Sequence, residues 1–508
     1  MQKKWKHSLA GVALLLALGG LPASAAVINV SAGAVDNIEN QNCSIIEAFR
    51  SANNDESIDA CEQGSGPDII VLPDNSTFTI DTPYVTDGEN ALPVITTEIT
   101  IEGNGSTIER DLTGDDNFRI IEIDNPTINE ELIVTINDTT ITGGSFISGG
   151  NLFGAGIFNN DGTLFINDSF IINNIAGDNG GGIHSDHSEI GRLVISGSTI
   201  SGNESGYAGG GIFIKSGSMT INNTTISGNT ASNFGGGLYS EDSDSRIMGS
   251  TINNNRALDS SFGGGGIYNN AEEGDAIMSI SNSTISNNSA SYGGGISNFA
   301  NSDLTATLIL IYSTITGNTA TENGGGILNR NFNEPESSAV FSLTTSIISG
   351  NSATTSNEIS NTPDNQSINL SYGSNVLGHS GTSDANGFTN FTPEINDINA
   401  TSDGTNTQLT NILDTTLSDN GGPTLTHNLV TGSPAVNNGE NNVAVCPALD
   451  QRGLLRPFPA GAICDIGAVE FNAIAPPAEF GMCFMDELCG DGVDNNGNGF
   501  IDDEETCI

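Results

Sequence analysis

Through the middle of the chain an aliphatic residue returns behind a run of glycines, at Ile157, Ile183, Ile212, Leu238, Ile267, Ile296 and Ile327. A second phrase, typically Ser/Thr-Thr-Ile, centres on Ile141, Ile171, Ile200, Ile226, Ile252, Ile285, Ile315 and Ile348. Neighbouring members stand roughly 26–33 residues apart, a period of stacked repeats. One unit reads Gly-Gly-Gly-Ile at 209–212, Ser-Met-Thr-Ile at 218–221 and Thr-Thr-Ile-Ser-Gly-Asn at 224–229. These apolar runs are rich in Ile, Val, Thr and Leu, are separated by turn residues, and never reach helical length. They predict short strands. Three strands in roughly 29 residues describe one triangular coil, which can bury its apolar face only against the coils on either side. The expected fold is all-β, a right-handed parallel β-helix.

The polar positions carry the same period. Asn203, Asn229, Asn255, Asn288, Asn318 and Asn351 each follow the repeated Ile by three residues. Their amides are expected to hydrogen-bond along the axis, and the Asn itself to take the left-handed corner. The glycine runs are expected to supply positive φ and close backbone approach at another corner. The repeated Ile side chains are expected to stack inside, each burial worth roughly 1.5–3 kcal/mol.

A solenoid needs caps, because its terminal strands expose edges. Residues 44–53 form the best helix candidate, with Ser44 as N-cap and Glu47 three residues on. The helix precedes the first apolar strand, Asp68 to Leu72, and is expected to cap the N-terminal end. The chain divides into a leader at 1–25, a cap and first coils at 26–135, a repeat core at 136–375, and a C-terminal region at 376–472. A linker at 473–480 and a tail at 481–508 follow.

The leader has a basic start at Lys3, Lys4 and Lys6, an apolar stretch from Leu9 to Leu21, and the small-residue site Ala23-Ser24-Ala25. This is a secretory signal, so the mature chain is expected to be exported and to begin at Ala26. No later run of 18 apolar residues predicts a spanning helix. The chain has 61 Asp and Glu against 13 Lys and Arg, a formal charge of −48. Such a surface disfavours nucleic acid and anionic membranes as partners. It leaves an extracellular glycan or a neighbouring cell surface as partner, with the protein expected to act as a monomer. All seven Cys lie outside the repeats. In an exported chain the local pairs Cys43–Cys61, Cys446–Cys464 and Cys489–Cys507 are expected as disulfides, leaving Cys483 over.

Both ends resemble known families. Asn42-Cys43-Ser44-Ile45-Ile46-Glu47-Ala48 is similar to the Cys-Ser-Leu-Arg-Glu-Ala segment that opens a class of bacterial exported β-helix proteins, with Ile-Ile in place of Leu-Arg. The C-terminal region carries Asp419-Asn420-Gly421-Gly422-Pro423-Thr424, Gly432-Ser433-Pro434-Ala435-Val436, Asp450-Gln451-Arg452-Gly453, Arg456-Pro457 and Cys464-Asp465-Ile466-Gly467-Ala468. These phrases resemble the choice-of-anchor Q domain. The resemblance implies a surface or secreted β-helix protein and brings no catalytic residues.

The tail supplies the most specific chemical signal. Asp494, Asn496, Asn498, Gly499 and Glu505 fit the Asp-x-Asn-x-Asn-Gly-x5-Glu pattern of an EF-hand calcium loop. Asp494, Asn496 and Asn498 would face a Ca2+ ion through side-chain oxygens, Phe500 through its carbonyl, and Asp502 directly or through water. Glu505 would be bidentate.

The β-helix is also the fold of pectate lyases, whose chemistry needs calcium-holding carboxylates and an Arg or Lys that removes the proton α to a uronate carboxyl. The residues that could serve are Lys215, the only Lys after the leader, with Arg246, Asp242 and Asp244. Stacking is expected to bring His184, Asp186, His187, Glu189 and Arg192 beside them on one side, and Glu272, Glu273 and Asp275 on the other. His184 and His187 could also bind a metal. Solvated loop residues are the stronger account of this row, and the few aromatics argue against a strong sugar-stacking platform. The expected function is therefore a non-enzymatic scaffold, adhesin or glycan-binding surface, with calcium-assisted polysaccharide lysis as the alternative.

Overall fold

The computed structural model describes residues 25–84, 89–114, 116–127, 130–148, 152–187, 191–259, 263–301, 303–331, 337–361, 368–439 and 446–476. The leader cleavage motif apart from Ala25, Glu189, Cys483, the expected Cys489–Cys507 pair and every candidate calcium ligand lie outside them.

The fold is an all-β parallel solenoid. Among the described residues the strands assemble into sheets of 22, 10 and 7 members. Each repeat strand pairs in parallel with its counterpart one coil away. Ile171, Ile200, Ile226, Ile252, Ile285, Ile315 and Ile348 stand in one register line on the largest sheet. Ile157, Ile183, Ile212, Leu238, Ile267, Ile296 and Ile327 form another on the ten-stranded sheet. Both lines are fully buried and belong to one continuous core. The period of the sequence is thus the period of the stack.

Asparagine amides run along the axis as expected. Asn203 Nδ2 donates to Asn229 Oδ1, Asn229 to Asn255, and Asn255 to Asn288, each at 3.0 Å. Every such oxygen also accepts the backbone N–H of the Asn before it. The left-handed corner, however, falls one residue earlier, at Gly202, Gly228, Asn254, Asn287 and Gly317. The ladder Asn needs its side chain directed inward, and the residue ahead of it makes the turn. A second ladder, Asn269–Asn298–Asn329–Asn361, runs inside the ten-stranded sheet at 2.7–2.9 Å.

At the glycine corner Gly209 has φ +63°. A Cβ on Gly210 would come within 2.4 Å of the Gly236 carbonyl oxygen, so side chains are excluded there by the next coil.

The helix spans Ile45–Asn54 with a complete Ser44/Glu47 capping box. It buries Ile45, Phe49 and Ala52 in the core that the first strands share. Cys43 and Cys61 are bridged, with Cα atoms 4.7 Å apart. Cys446 and Cys464 are bridged at 6.3 Å.

The C-terminal region does more than close the end. It folds back along the outside of the largest sheet. Gln451 Nε2 donates to Ser250 O at 3.1 Å and Thr251 Oγ1 at 2.9 Å, and its Oε1 accepts from Thr284 Oγ1 at 2.6 Å. His427 Nε2 meets Ser286 Oγ at 2.9 Å. Buried Arg456 pairs with Glu470 at 3.3 Å and lies over the Tyr312 ring. The Asp450-Gln451-Arg452 phrase is therefore a docking device, in which Asp450 holds Arg452 while Gln451 reads the Ser/Thr-Thr-Ile strands. This strap covers part of the largest sheet at Ser250–Ser286, whereas the ten-stranded sheet carries the candidate site.

Candidate functional site

Strand alternation sends the first and third residues of each strand in the ten-stranded sheet inward, and the second and fourth outward. The second positions in register are Phe158, His184, Phe213, Tyr239 and Tyr268. A coil spacing near 4.8 Å is also a ring-stacking distance. His184 stacks on Phe213 at 4.7 Å, Phe213 on Tyr239 at 4.9 Å and Tyr239 on Tyr268 at 5.3 Å. Phe153 closes the other face of His184 at 4.5 Å, and Phe299 continues beyond Tyr268 at 6.2 Å. Phe234, just ahead of a glycine run, leans over Tyr268 at 5.2 Å, and Tyr207 meets Phe234 edge-on. Of these, Phe213, Tyr239, Tyr268 and Phe299, with Phe234 packed against them, make an apolar cluster separate from the solenoid core.

The fourth positions are polar: Asp186, Lys215, Glu241 and Asn270 stand in register. Lys215 Nζ lies 3.1 Å from Glu241 and 3.2 Å from Glu273. Burial works against its charge, yet the hydrogen bonds and charges of Glu241 and Glu273 outweigh that and raise its pKa above the ordinary value. Burial raises Glu241, and Lys215 opposes the shift. Tyr239 hydrogen-bonds to Glu241 and accepts Asn270 Nδ2 at 2.7 Å.

Between these side chains lies a cleft of about 270 Å³. Tyr207, Phe234, Tyr239, Tyr268 and Phe299 form its walls, and Glu241, Asn270 and Glu272 its polar groups. The low aromatic content alone does not foretell this column, whose rings lie face to face on one another. Several of the few aromatics gather on this face, while others, among them Phe49, Phe78 and Phe341, are buried in the solenoid core. The signal was present in the sequence, since Phe158, His184, Phe213, Tyr239 and Tyr268 each follow the repeated aliphatic residue directly.

The residues proposed for lysis are only partly brought together. Lys215, Glu241 and Glu273 do converge across coils. Arg246 and Asp244 do not join them, because both belong to the strand Asp244–Met248 of the largest sheet, where Arg246 registers with Thr220 and Ser279. Asp242 sits in a left-handed turn, and its carboxylate accepts the backbone N–H groups of Glu272 and Glu273. Arg192 lies over Phe165 on the largest sheet, and Asp275 accepts the Thr305 N–H at 2.8 Å.

His184 is 2 % exposed inside the ring stack. Burial, aided by Arg119, lowers its pKa to about 3. His187 Nε2 instead meets interior Ser185 Oγ at 2.9 Å, and burial lowers its pKa to about 4. The two rings meet different neighbours. Among the described residues no group of three or more His, Cys, Asp or Glu is placed to hold a metal ion. No helix among them is long and apolar enough to cross a membrane.

Residues 223–241 and 312–330 match the Chlamydia polymorphic membrane protein (Chlamydia_PMP) repeat. Each matched segment holds one Thr-Ile strand, a ladder Asn, a glycine run and a strand of the ten-stranded sheet, and the first ends at Glu241 in the cleft. A crystal structure of pectate lyase Pel9A is similar over 88 % of this chain and 97 % of that chain, with 14 % identity and a TM-score of 0.43. No curated protein matches the chain.

Proposed function

We propose that the protein is an exported, surface or extracellular β-helix that binds glycan through the aromatic face of its ten-stranded sheet and does not cleave it. The observation that carries this reading is the cleft in which five aromatic side chains surround hydrogen-bonding carboxylates and an amide. Apolar walls with a few convergent polar groups are the ordinary construction of a small-ligand site. The leader motif, the disulfides and the matched Chlamydia repeats support an adhesin-like role outside the cell. The end phrases support membership in the exported class with a choice-of-anchor Q region, and the tail adds a calcium loop built on Asp494, Asn496, Asn498, Phe500, Asp502 and Glu505.

Cleavage is disfavoured by the state of Lys215. A base for α-proton abstraction must be free of its proton. Two carboxylates hold that proton on Lys215, and Arg246 belongs to another sheet. The test is incubation of the mature chain with polygalacturonate, alginate and chondroitin in calcium, alongside retention on an array of immobilised glycans. Retention that weakens in Tyr207→Ala, with no unsaturated product, is the expected result. Unsaturated product that disappears in Lys215→Ala would replace this reading with the lyase.

A further inference from the structure

The polar lining of the cleft is one-sided. Asn270 is 4 % exposed, and its Nδ2 is used on Tyr239 and Glu272. Its Oδ1 is buried with no hydrogen-bond partner, although it belongs to a residue lining the cleft. A buried acceptor left unpaired costs on the order of 1–3 kcal/mol, so a ligand donor that turned this amide oxygen toward the cleft would be favoured. The other polar groups, Glu241 and Glu272, are carboxylates that accept as well. The nearest cations do not reverse this. Lys215 is held by Glu241 and Glu273, and Arg330, the register partner of Phe299 one coil farther on, acts electrostatically on Tyr268 but does not line the cleft.

An acceptor-lined, acid-bearing cleft with aromatic walls selects a ligand that is donor-rich, positively charged and partly apolar. An ammonium group meets all three demands, because it donates in three directions, pairs with carboxylates and is attracted to ring faces. Anionic sugars are repelled, and a neutral sugar brings no charge to Glu272, whereas Glu241 already has Lys215. At about 270 Å³ the cleft is just below the usual range of ligand sites, roughly 300–1,000 Å³, and so suits one ring better than a long chain segment.

We infer that the cleft beside Asn270 binds a protonated amine, carried by an unsubstituted amino sugar of the glycan. This rests on the glycan-binding reading for its source and on the cleft alone for its chemistry.

The experiment is isothermal titration of the mature full-length chain with three probes: a glucosamine trimer, its fully N-acetylated counterpart and Nα-acetyl-lysine methylamide. The glucosamine trimer should bind at least about tenfold more tightly than the acetylated one, a gap expected of one charge-assisted contact. Glu272→Gln and Tyr207→Ala, both at the rim, should each weaken it about five- to tenfold. Equal binding of both trimers would overturn the amine inference and leave the glycan reading standing. Lysine derivative bound as tightly as the glucosamine trimer would uphold the amine chemistry and overturn its glycan source. No binding of any probe, or identical isotherms for Glu272→Gln and the parent, would overturn the inference.

Discussion

Lys215 and Glu241 are register partners on neighbouring coils, and their charged ends meet at 3.1 Å. Parallel in-register stacking puts like positions beside each other, so a charged column is tolerable only if its sign alternates or its members are neutral. Here the column runs Asp186, Lys215, Glu241, Asn270. The single Lys stands between two acids, which accounts for a cation in so acidic a chain.

Lys215→Met should therefore act through the charge of Glu241. The Lys is partly exposed, so the loss at pH 7 is modest, about 1 kcal/mol. Glu241 loses the partner that opposes its raised pKa. The deficit should shrink as pH falls and Glu241 takes up a proton. Adding Glu241→Gln should restore most of the melting temperature at pH 7. A deficit of the same size at pH 4 and pH 7 would assign the role of Lys215 to the packing of its stem.

His184 makes a pH prediction with a defined sign. Its pKa in the fold is about 3, below the ordinary 6.5, so the unfolded chain binds the extra proton. Stability from the neutral ring is complete above pH 6.5 and declines as pH falls toward 3. The slope approaches about 1.4 kcal/mol per pH unit for one such group. His184→Phe keeps a ring between Phe153 and Phe213 and removes the proton site. It should match the parent at pH 7 within about 1.5 kcal/mol and melt higher at pH 4. Thermal melts across pH 4–7 decide this, and parallel curves for the two proteins would refute it.

The fold was legible in the sequence because stacking makes structural period and sequence period the same quantity. Ile200 and Ile226 are spaced as coils, and they are register partners. The Asn ladder was legible for the same reason. What escaped was which face of a strand an inconspicuous residue would occupy. From Ile157 to Ile267 the residue after the repeated aliphatic is Phe, His or Tyr, a column visible only once the register is written out. Grouping Arg246 with Lys215 erred in a similar way. A two-residue link, Asp242-Ser243, separates Glu241 from Arg246's strand, enough for the chain to turn at Asp242 onto another sheet. The strap from Thr424 to Glu470 had no periodic signal, because Gln451 and His427 reach coils more than 140 residues earlier.

The ladder predicts a cost larger than one hydrogen bond. Asn229 donates to Ile200 O and Asn255 Oδ1, and accepts from Asn203 N and Nδ2. Asn229→Leu strands groups in the coils on both sides while preserving volume. At roughly 1–3 kcal/mol for each buried group left unpaired, the loss should reach several kcal/mol. Coil stacks unfold through nearest-neighbour coupling, so the damage should spread. Amide hydrogen exchange should quicken at residues 199–205 and 251–257 as well as at the site. Faster exchange confined to residue 229 and its two neighbours would show that the ladder fills space without coupling the coils.

The tail offers the sharpest test of chemistry read from spacing alone. Five side chains, Asp494, Asn496, Asn498, Asp502 and Glu505, and the Phe500 carbonyl stand at EF-hand intervals. A Cys489–Cys507 bridge would hold the loop's ends together and lower the ordering cost of binding. A single loop without a partner hand should bind Ca2+ weakly, roughly in the 10⁻⁴–10⁻³ M range of extracellular modules. Ca2+ should be preferred over Mg2+, because a flexible loop cannot impose tight octahedral geometry. So acidic a chain also attracts divalent ions diffusely, and the comparison must subtract that background. Titration of the oxidised mature chain against a form ending at residue 476 isolates the tail. The full chain should show one saturable site that the shorter form lacks, weakened in Glu505→Gln through loss of the bidentate charge. Identical isotherms for the full chain, the shortened chain and Glu505→Gln would reduce residues 481–508 to an acidic extension.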